Sequence, residues 1–151
     1  MTKTDPRFIY EADRARHIAF PLGGIGAGGL ALSGSGRLVD WSIRNRPGLQ
    51  SFNGYSHFAI KAEAGGELLD ARVLNGPYEG VATGSPTTRK FFDGFGWGAN
   101  RNTLAGVPHF EATTFTGTFP VAEVAFHDAT FPGRVKLTAW SPFIPTNERD
   151  S

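Results

Sequence analysis

Glycine and proline divide this chain into short pieces, and this limits its possible folds more than any other feature. The sequence has 20 Gly and 10 Pro among its 151 residues, and the longest stretch free of both is Arg7–Phe20. A coiled coil or helical bundle needs longer uninterrupted stretches. A transmembrane helix needs about 20 continuous apolar residues, and collagen needs Gly at every third position. The pattern therefore favours short strands joined by turns and long loops.

The charge and residue usage exclude several functions. A net charge of +1 and 13 Phe, 3 Trp and 3 Tyr are not typical of a disordered chain. The basic residues are scattered, so no nucleic-acid surface is predicted. The absence of Cys excludes disulfides, thiolate catalysis and zinc–thiolate sites. We expect no metal, no cofactor and no transmembrane segment. The first residues lack the apolar core of a signal peptide, and a cytoplasmic location is expected.

Alternating apolar and polar residues predict two hairpins in the first half of the chain. The first joins strands around Leu30–Ser33 and Leu38–Arg44 through a turn in which Gly36 takes a left-handed conformation. The second joins a strand with Phe58, Ile60 and Ala62 on one face to a strand with Leu69, Ala71 and Val73 on one face. Gly65 and Gly66 form its tight turn. A short helix is predicted at Glu11–Arg16.

The second half predicts three more strands, at about Phe110–Thr116, Val121–His127 and Arg134–Ser141. Repeated short strands joined by turns favour an all-β fold, an antiparallel β-sandwich.

Between these halves lies a long segment, Asn75–Pro108, rich in Gly and aromatic residues. A loop of this length is usually functional or disordered, and aromatic side chains argue for packing against something. Aromatic faces bind the apolar faces of sugars, while Arg and Asn bond their hydroxyls. The alternative is that the aromatics only anchor the loop. The substrate-proximal candidates are Phe92, Phe95, Trp97, Arg101 and Asn102.

Three other patterns are better explained without a site. Gly24–Gly29 fits the dinucleotide pattern GxGxxG, but Gly34–Gly36 soon interrupts the sequence and leaves no room for the required helix. The Gly residues are expected to allow a tight turn and close backbone approach. The four His lack metal-ligand spacing, and no GxSxG elbow is present. His57 and His127 lie in alternating strand patterns, so structural or surface roles are expected. A further six carboxylates are expected on solvated faces or in turns, although glycoside hydrolysis uses such residues in pairs: Asp40, Glu63, Asp70, Glu111, Glu123 and Asp128.

The order of several motifs resembles a known family. They are Ile18–Gly28 (IAFPLGGIGAG), Leu38–Trp41 (LVDW), Asn45–Pro47 (NRP), Gly94–Gly98 (GFGWG), Leu104–Phe110 (LAGVPHF), Phe119–Pro120 (FP) and Ser141–Pro145 (SPFIP). Together they resemble the N-terminal domain of glycoside hydrolase family 116, which includes β-glucosidases and non-lysosomal glucosylceramidases. The resemblance covers roughly Arg16–Ser151.

The resemblance implies an N-terminal β-sandwich followed by an (α/α)6 barrel that carries the nucleophile Glu and the acid/base Asp. No position in this chain matches those catalytic motifs, so no catalytic residue is assigned. Residues 1–15 are then a lead-in and residues 16–151 the N-terminal part of an incomplete sandwich, with the catalytic domain absent. We expect a fragment that is inactive alone and that reaches a β-glucoside or glucosylceramide-like substrate only through the parent enzyme. The alternatives are a free-standing carbohydrate-binding module centred on Trp97 and a purely structural interaction domain.

Overall fold

The protein is an all-β molecule with antiparallel sheets, as the turn pattern predicts. A computed structural model describes residues 8–24, 26, 28–44, 56–77, 107–144, 146, 147 and 149. Within these ranges the strands are β1 (Ile9–Glu11), β2 (Ala19–Leu22), β3 (Gly29–Ser33), β4 (Leu38–Ser42), β5 (Ala59–Ala64), β6 (Glu67–Val73), β7 (Ala112–Thr118), β8 (Val121–His127) and β9 (Val135–Trp140). They form a four-stranded sheet β1-β7-β8-β9, a three-stranded sheet β2-β3-β4 and the two-stranded hairpin β5-β6.

The four-stranded sheet contains the three strands predicted in the second half of the chain. Strand β8 has the predicted bounds, and β7 and β9 differ from the prediction by one or two residues at each end. Strand β1 joins the sheet through the pairs Ile9↔Thr116 and Glu11↔Thr114. Part of the expected lead-in therefore belongs to the sheet.

Strands β3 and β4 confirm the predicted hairpin around Gly36. Gly36 has a φ of +86°, in the left-handed region, and the amide of Ser33 donates to the carbonyl of Arg37 at 2.8 Å. The sequence pattern does not predict β2, which pairs with β3 and contains Pro21. Since β2 is an edge strand, the missing N–H of Pro21 is tolerated there.

The hairpin β5-β6 is also confirmed, with Gly65 and Gly66 at φ values of +61° and +87°. These values suit a primed turn. The register, however, places Arg72 opposite Ile60 and Asp70 opposite Ala62. The apolar residues of the two strands thus lie mainly on opposite faces.

A bulge explains the exposure of leucines in β6. The register shifts between Ala62 and Glu63, which leaves one extra residue in β6. Leu68 and Leu69 are 60% and 54% exposed, and only Val73 at the end of the strand is buried. Alternation alone does not reveal a bulge, because the extra residue interrupts the period of two.

The core lies where the three sheets meet, in a sandwich-like arrangement. Its buried members are Phe20, Leu32, Leu74, Phe110, Phe115, Ala122, Val124, Phe126 and Phe131. Ile60 and Ala62 of the hairpin and Val135, Leu137 and Ala139 of β9 pack against this cluster. The alternation predicted for β9 is confirmed, because these three residues face inward while Lys136, Thr138 and Trp140 are exposed.

A short 3₁₀ helix of six residues, Ala12–His17, connects β1 and β2 near the predicted helix. It ends where the amide of Ile18 donates to the carbonyl of Ala15 at 3.2 Å. Among the residues that the structure describes, no helix has the length and apolar character needed to cross a membrane.

Candidate functional site

The glycine-rich block after β2 forms a tight reversal of the backbone. Gly23 and Gly28 have φ values of +106° and +83°. A Cβ on Gly23 would lie 2.5 Å from the carbonyl oxygen of Gly28, and a Cβ on Gly28 would lie 2.9 Å from that of Ser42. The segment continues into strand β3 rather than a helix, so no helix N-terminus is present to hold a pyrophosphate. The expected roles in a tight turn and close approach are therefore confirmed.

This reversal forms one wall of an open groove of about 480 Å³ on the β2-β3-β4 sheet. Its lining residues are Ala19, Pro21, Leu22, Gly23, Gly24, Gly29, Leu30, Ala31, Asp40, Ser42 and Phe143. They come from three parts of the chain, which are β2 and β3 with the turn between them, strand β4, and Phe143 after β9. The fold brings these parts together at one surface.

A bulge in β4 gives the groove its polar side. The register of β3 and β4 shifts between Gly29 and Ala31, leaving one extra residue in β4. Asp40, in this part of the strand, has a φ of +56°, which aspartate adopts more readily than most residues. Bulges redirect side chains next to binding surfaces, and here Asp40 and Ser42 are the polar residues among those that line the groove.

The described residues of the groove do not include the machinery for glycoside hydrolysis. That reaction uses two carboxyl groups on either side of the scissile bond, and the described lining residues include only the carboxylate of Asp40. Elsewhere, Glu63 and Glu123 form exposed ion pairs with Lys61 and Lys136, at 2.8 and 2.7 Å. Glu111 is also exposed. The expectation of solvated positions is confirmed for these three glutamates.

For Asp70 and Asp128 that expectation is wrong, because both bind Arg72. The Nε of Arg72 donates to Asp70 Oδ2 at 2.9 Å, and Nη1 donates to an oxygen of Asp128. The same guanidinium donates to the carbonyl of His109 at 3.2 Å and to Thr130 Oγ1 at 2.7 Å. The Asp128 side chain is only 2% exposed. This Arg72 network joins β6 to the segment that follows β8.

The network keeps its groups charged. The hydroxyl and amide of Thr130 donate to Asp128 Oδ1 at 2.7 and 2.9 Å. These bonds, with the charge of Arg72, lower the pKa of Asp128 from 3.8 to about 2, although burial opposes the shift. Burial lowers the pKa of Arg72, but the bond to Asp70 and the charge of Asp128 outweigh it, and the net pKa is raised. An ion pair of Asp128 and Arg72 that stays charged near neutral pH is suited to holding segments together rather than to proton transfer.

Aromatic rings complete the environment of Arg72. Its guanidinium lies 5.6 Å from the ring centroid of Phe110 and 5.8 Å from that of Phe131. Such cation–π contacts add to the ion pairs.

The sequence contains a local signal for part of the Arg72 network. The spacing Asp70-Ala71-Arg72 places two opposite charges on one strand face. Asp128 lies 56 residues later, and no local pattern links it to Arg72.

The histidines are not arranged as a metal centre. His127 Nε2 lies 2.9 Å from Thr114 Oγ1, which donates to Glu11 Oε1 at 2.9 Å, and this chain of bonds links β8, β7 and β1. His57 precedes β5 instead of lying within a strand. Across residues 8–44, 56–77 and 107–149, excluding those not described, no group of three or more His, Asp and Glu side chains is placed to hold a metal ion.

The predicted substrate-proximal residues Phe92, Phe95, Trp97, Arg101 and Asn102 all lie outside the described residues. The structure does show where the segment that carries them begins and ends.

Backbone hydrogen bonds hold the two ends of that segment side by side. The amide of Val73 donates to the carbonyl of Pro108 at 3.0 Å, and the amide of Phe110 donates to the carbonyl of Asn75 at 2.9 Å. The amide of Gly76 donates to Ser35 in the β3-β4 turn at 2.8 Å. Asn75 and Phe110 are buried. The segment therefore leaves the core and returns to it at one fixed place, beside the Arg72 network.

Comparison with sequence models of protein families gives a match over most of the chain. The sequence model described as beta-glucosidase 2, glycosyl-hydrolase family 116 N-term, matches residues 19–151. The matched region includes all the residues of the groove and of the Arg72 network. A search among curated proteins finds no match. With this match over most of its length, the chain belongs to glycosyl hydrolase family 116, as a member of its N-terminal domain family.

Proposed function

We propose that this chain is the N-terminal β-sandwich segment of a retaining β-glucosidase or glucosylceramidase-like glycoside hydrolase. It supports the catalytic barrel and is not catalytic alone. The observation that carries the proposal is the family match over residues 19–151 combined with the composition of the groove. The described lining residues include one carboxylate, which cannot act both as nucleophile and as acid/base, whereas an apolar groove is suited to packing against a neighbouring domain.

The groove is the proposed contact with the catalytic domain. Aromatic and aliphatic side chains with few charges are typical of the centre of an interface, and Leu22 and Phe143 provide such side chains here. The same proposal takes residues 16–151 as part of a larger sandwich in a cytoplasmic enzyme and residues 1–15 as a lead-in, of which β1 joins the four-stranded sheet.

Reconstitution in two pieces tests this function. The chain is co-expressed with the (α/α)6 catalytic domain of a family 116 β-glucosidase, and co-purification and hydrolysis of an aryl β-glucoside are measured. We expect the chain alone to be inactive and the pair to form an active complex that releases the β-anomer first, as a retaining mechanism requires. Turnover by the purified 151-residue chain alone would contradict the proposal.

Two matched variants locate the contact. Phe143 and Phe58 are both exposed aromatic residues, at 38% and 44%, but only Phe143 lines the groove. We expect Phe143→Asp to prevent complex formation and Phe58→Asp to leave it intact, with both variants folded by circular dichroism. Equal binding by both variants would exclude the groove as the contact.

A further inference from the structure

We propose that the outer face of the four-stranded sheet binds a neutral oligosaccharide of β-linked glucose, with the indole ring of Trp140 as the stacking surface. The site, called here the Trp140 platform, consists of Trp140, Thr138 and Lys136 on β9, Val121 and Glu123 on β8, and Thr116 on β7. It shares no residue with the groove or with the Arg72 network.

The register of the sheet brings these side chains onto one face. Ala122, Val124 and Phe126 of β8 are buried in the core, so Val121 and Glu123 point to the opposite face. Across the strands, Trp140 pairs with Val121 and Thr138 pairs with Glu123. On the other side of β8, Glu123 pairs with Thr116. The result is a continuous patch that spans three neighbouring strands.

Trp140 is the least expected residue on this face. It is 69% exposed, whereas tryptophan usually buries most of its large surface. An exposed tryptophan offers an apolar ring with an N–H at its edge. Pyranose rings have apolar faces made of C–H groups and an equator of hydroxyls, and they match such a ring. Val121, 41% exposed beside it, extends the apolar area at this end only.

The rest of the platform provides hydrogen bonds without net charge. Lys136 Nζ lies 2.7 Å from Glu123 Oε1, and both side chains are about half exposed. Lys136 donates and Glu123 accepts, while the hydroxyls of Thr138 and Thr116 do both. Because the one cation and the one anion are paired, the platform does not favour a phosphate, a nucleic acid or a cationic ligand. It fits a ligand that is uncharged and rich in hydroxyls.

The length of the platform selects a chain rather than a single sugar. From Lys136 to Trp140 the strand advances about 13 Å, which is longer than one pyranose ring. The preference for β-linked glucose rests on the function proposed above, while the location of the site rests only on the described residues. In the parent enzyme such a site would hold a glucan or glycoside chain away from the catalytic carboxylates.

Calorimetric titration of the 151-residue chain with cellotetraose tests the proposal. We expect saturable binding that weakens about tenfold or more in Trp140→Ala, the size of effect typical of losing an aromatic anchor. Trp140→Phe should retain most of the affinity. Glu123→Gln, which keeps the shape but breaks the ion pair, should weaken binding less than Trp140→Ala. The control is Phe58→Ala, a similarly exposed aromatic on the β5-β6 hairpin, which should bind as the unaltered chain does.

Four results would each overturn the proposal. They are the absence of saturable binding at millimolar cellotetraose, unchanged binding in Trp140→Ala, loss of binding only in Trp97→Ala, and conversion of a self-associated chain to a monomer by Trp140→Ala, measured by analytical ultracentrifugation. The last result would mean that a second copy covers this face. None of them depends on the reconstitution with the catalytic domain, so this proposal and the proposed function can fail separately.

Discussion

Replacing Gly36 with alanine tests how closely the β3-β4 turn packs against the core. Gly36 has a φ of +86°, and an L-residue in this region costs about 1–2 kcal/mol. A Cβ at this position would also lie 2.7 Å from the carbonyl oxygen of Leu74 and 2.7 Å from Cζ of Phe126. Relieving contacts of this kind in a packed core costs about 1–3 kcal/mol more. Gly36→Ala should therefore lower the free energy of unfolding by about 2–5 kcal/mol.

Gly66 provides a matched control in the β5-β6 turn. Its φ of +87° is nearly the same, but a Cβ there would meet nothing within 4 Å. Gly66→Ala should thus cost only the backbone part, about 1–2 kcal/mol. The difference between the two variants isolates the close approach of the turn to Leu74 and Phe126.

Urea unfolding followed by far-UV circular dichroism gives the free energy of unfolding of both variants, compared at the same dependence of that free energy on urea concentration. The urea concentration at the midpoint of unfolding should decrease much more for Gly36→Ala than for Gly66→Ala. If the two substitutions destabilise the chain equally, the turn does not pack against Leu74 and Phe126 as described, and the reasoning fails. A larger loss for Gly66→Ala would refute it more strongly.

Three further predictions concern the core, the turn and the ionic network. Leu32 is fully buried, and Leu32→Ala should cost about 2–5 kcal/mol in urea unfolding, whereas Leu69→Ala at an exposed position should stay within about 0.5 kcal/mol. Thr113 Oγ1 donates to the carbonyl of Gly34 at 3.0 Å, so Thr113→Val should cost about 1–3 kcal/mol by leaving that acceptor unpaired, again by urea unfolding. The folded pKa of Asp128, about 2, is below its ordinary value of 3.8, so its stabilising effect is complete above that ordinary value and is lost as the pH falls toward 2. The melting temperature of the unaltered chain should decrease over this acid range, and that of Asp128→Asn should decrease less steeply. The same change of melting temperature with pH in both proteins would contradict the role assigned to Asp128.

Local patterns predicted the hairpins because their information is local. The turn at Gly36 and the turn at Gly65-Gly66 need left-handed backbone that glycine supplies, and the alternation in β8 and β9 fixes which side chains face the core. The same patterns did not reveal β2, since Pro21 normally argues against a strand and only its edge position permits it. They did not reveal the pairing of Ile9 with Thr116 either, because nothing in a three-residue strand specifies a partner so distant.

The candidate site shows the same division between local and distant information. The tight reversal at Gly23 and Gly28 could be expected from the sequence, but the presence of Phe143 in the same groove as Pro21 depends on the whole fold. The ion pair of Asp70 and Arg72 was within reach of strand periodicity. Asp128 was not, because its burial follows from packing between β6 and the segment after β8.

The described residues of two blocks that carry the family resemblance, Ile18–Gly28 and Ser141–Pro145, are explained by shape rather than by chemistry. Gly23 and Gly28 are needed because carbonyl oxygens lie where their Cβ atoms would be, Pro21 is accommodated at a sheet edge, and Phe143 lines the groove. None of these three residue types transfers protons or attacks an anomeric carbon. Such a surface is most useful for fitting another surface, and it can be specific to one family without containing a catalytic residue. Substitutions in these blocks should therefore act on complex formation and stability, while the pH dependence of hydrolysis in a reconstituted enzyme remains that of the carboxyl pair in the partner domain.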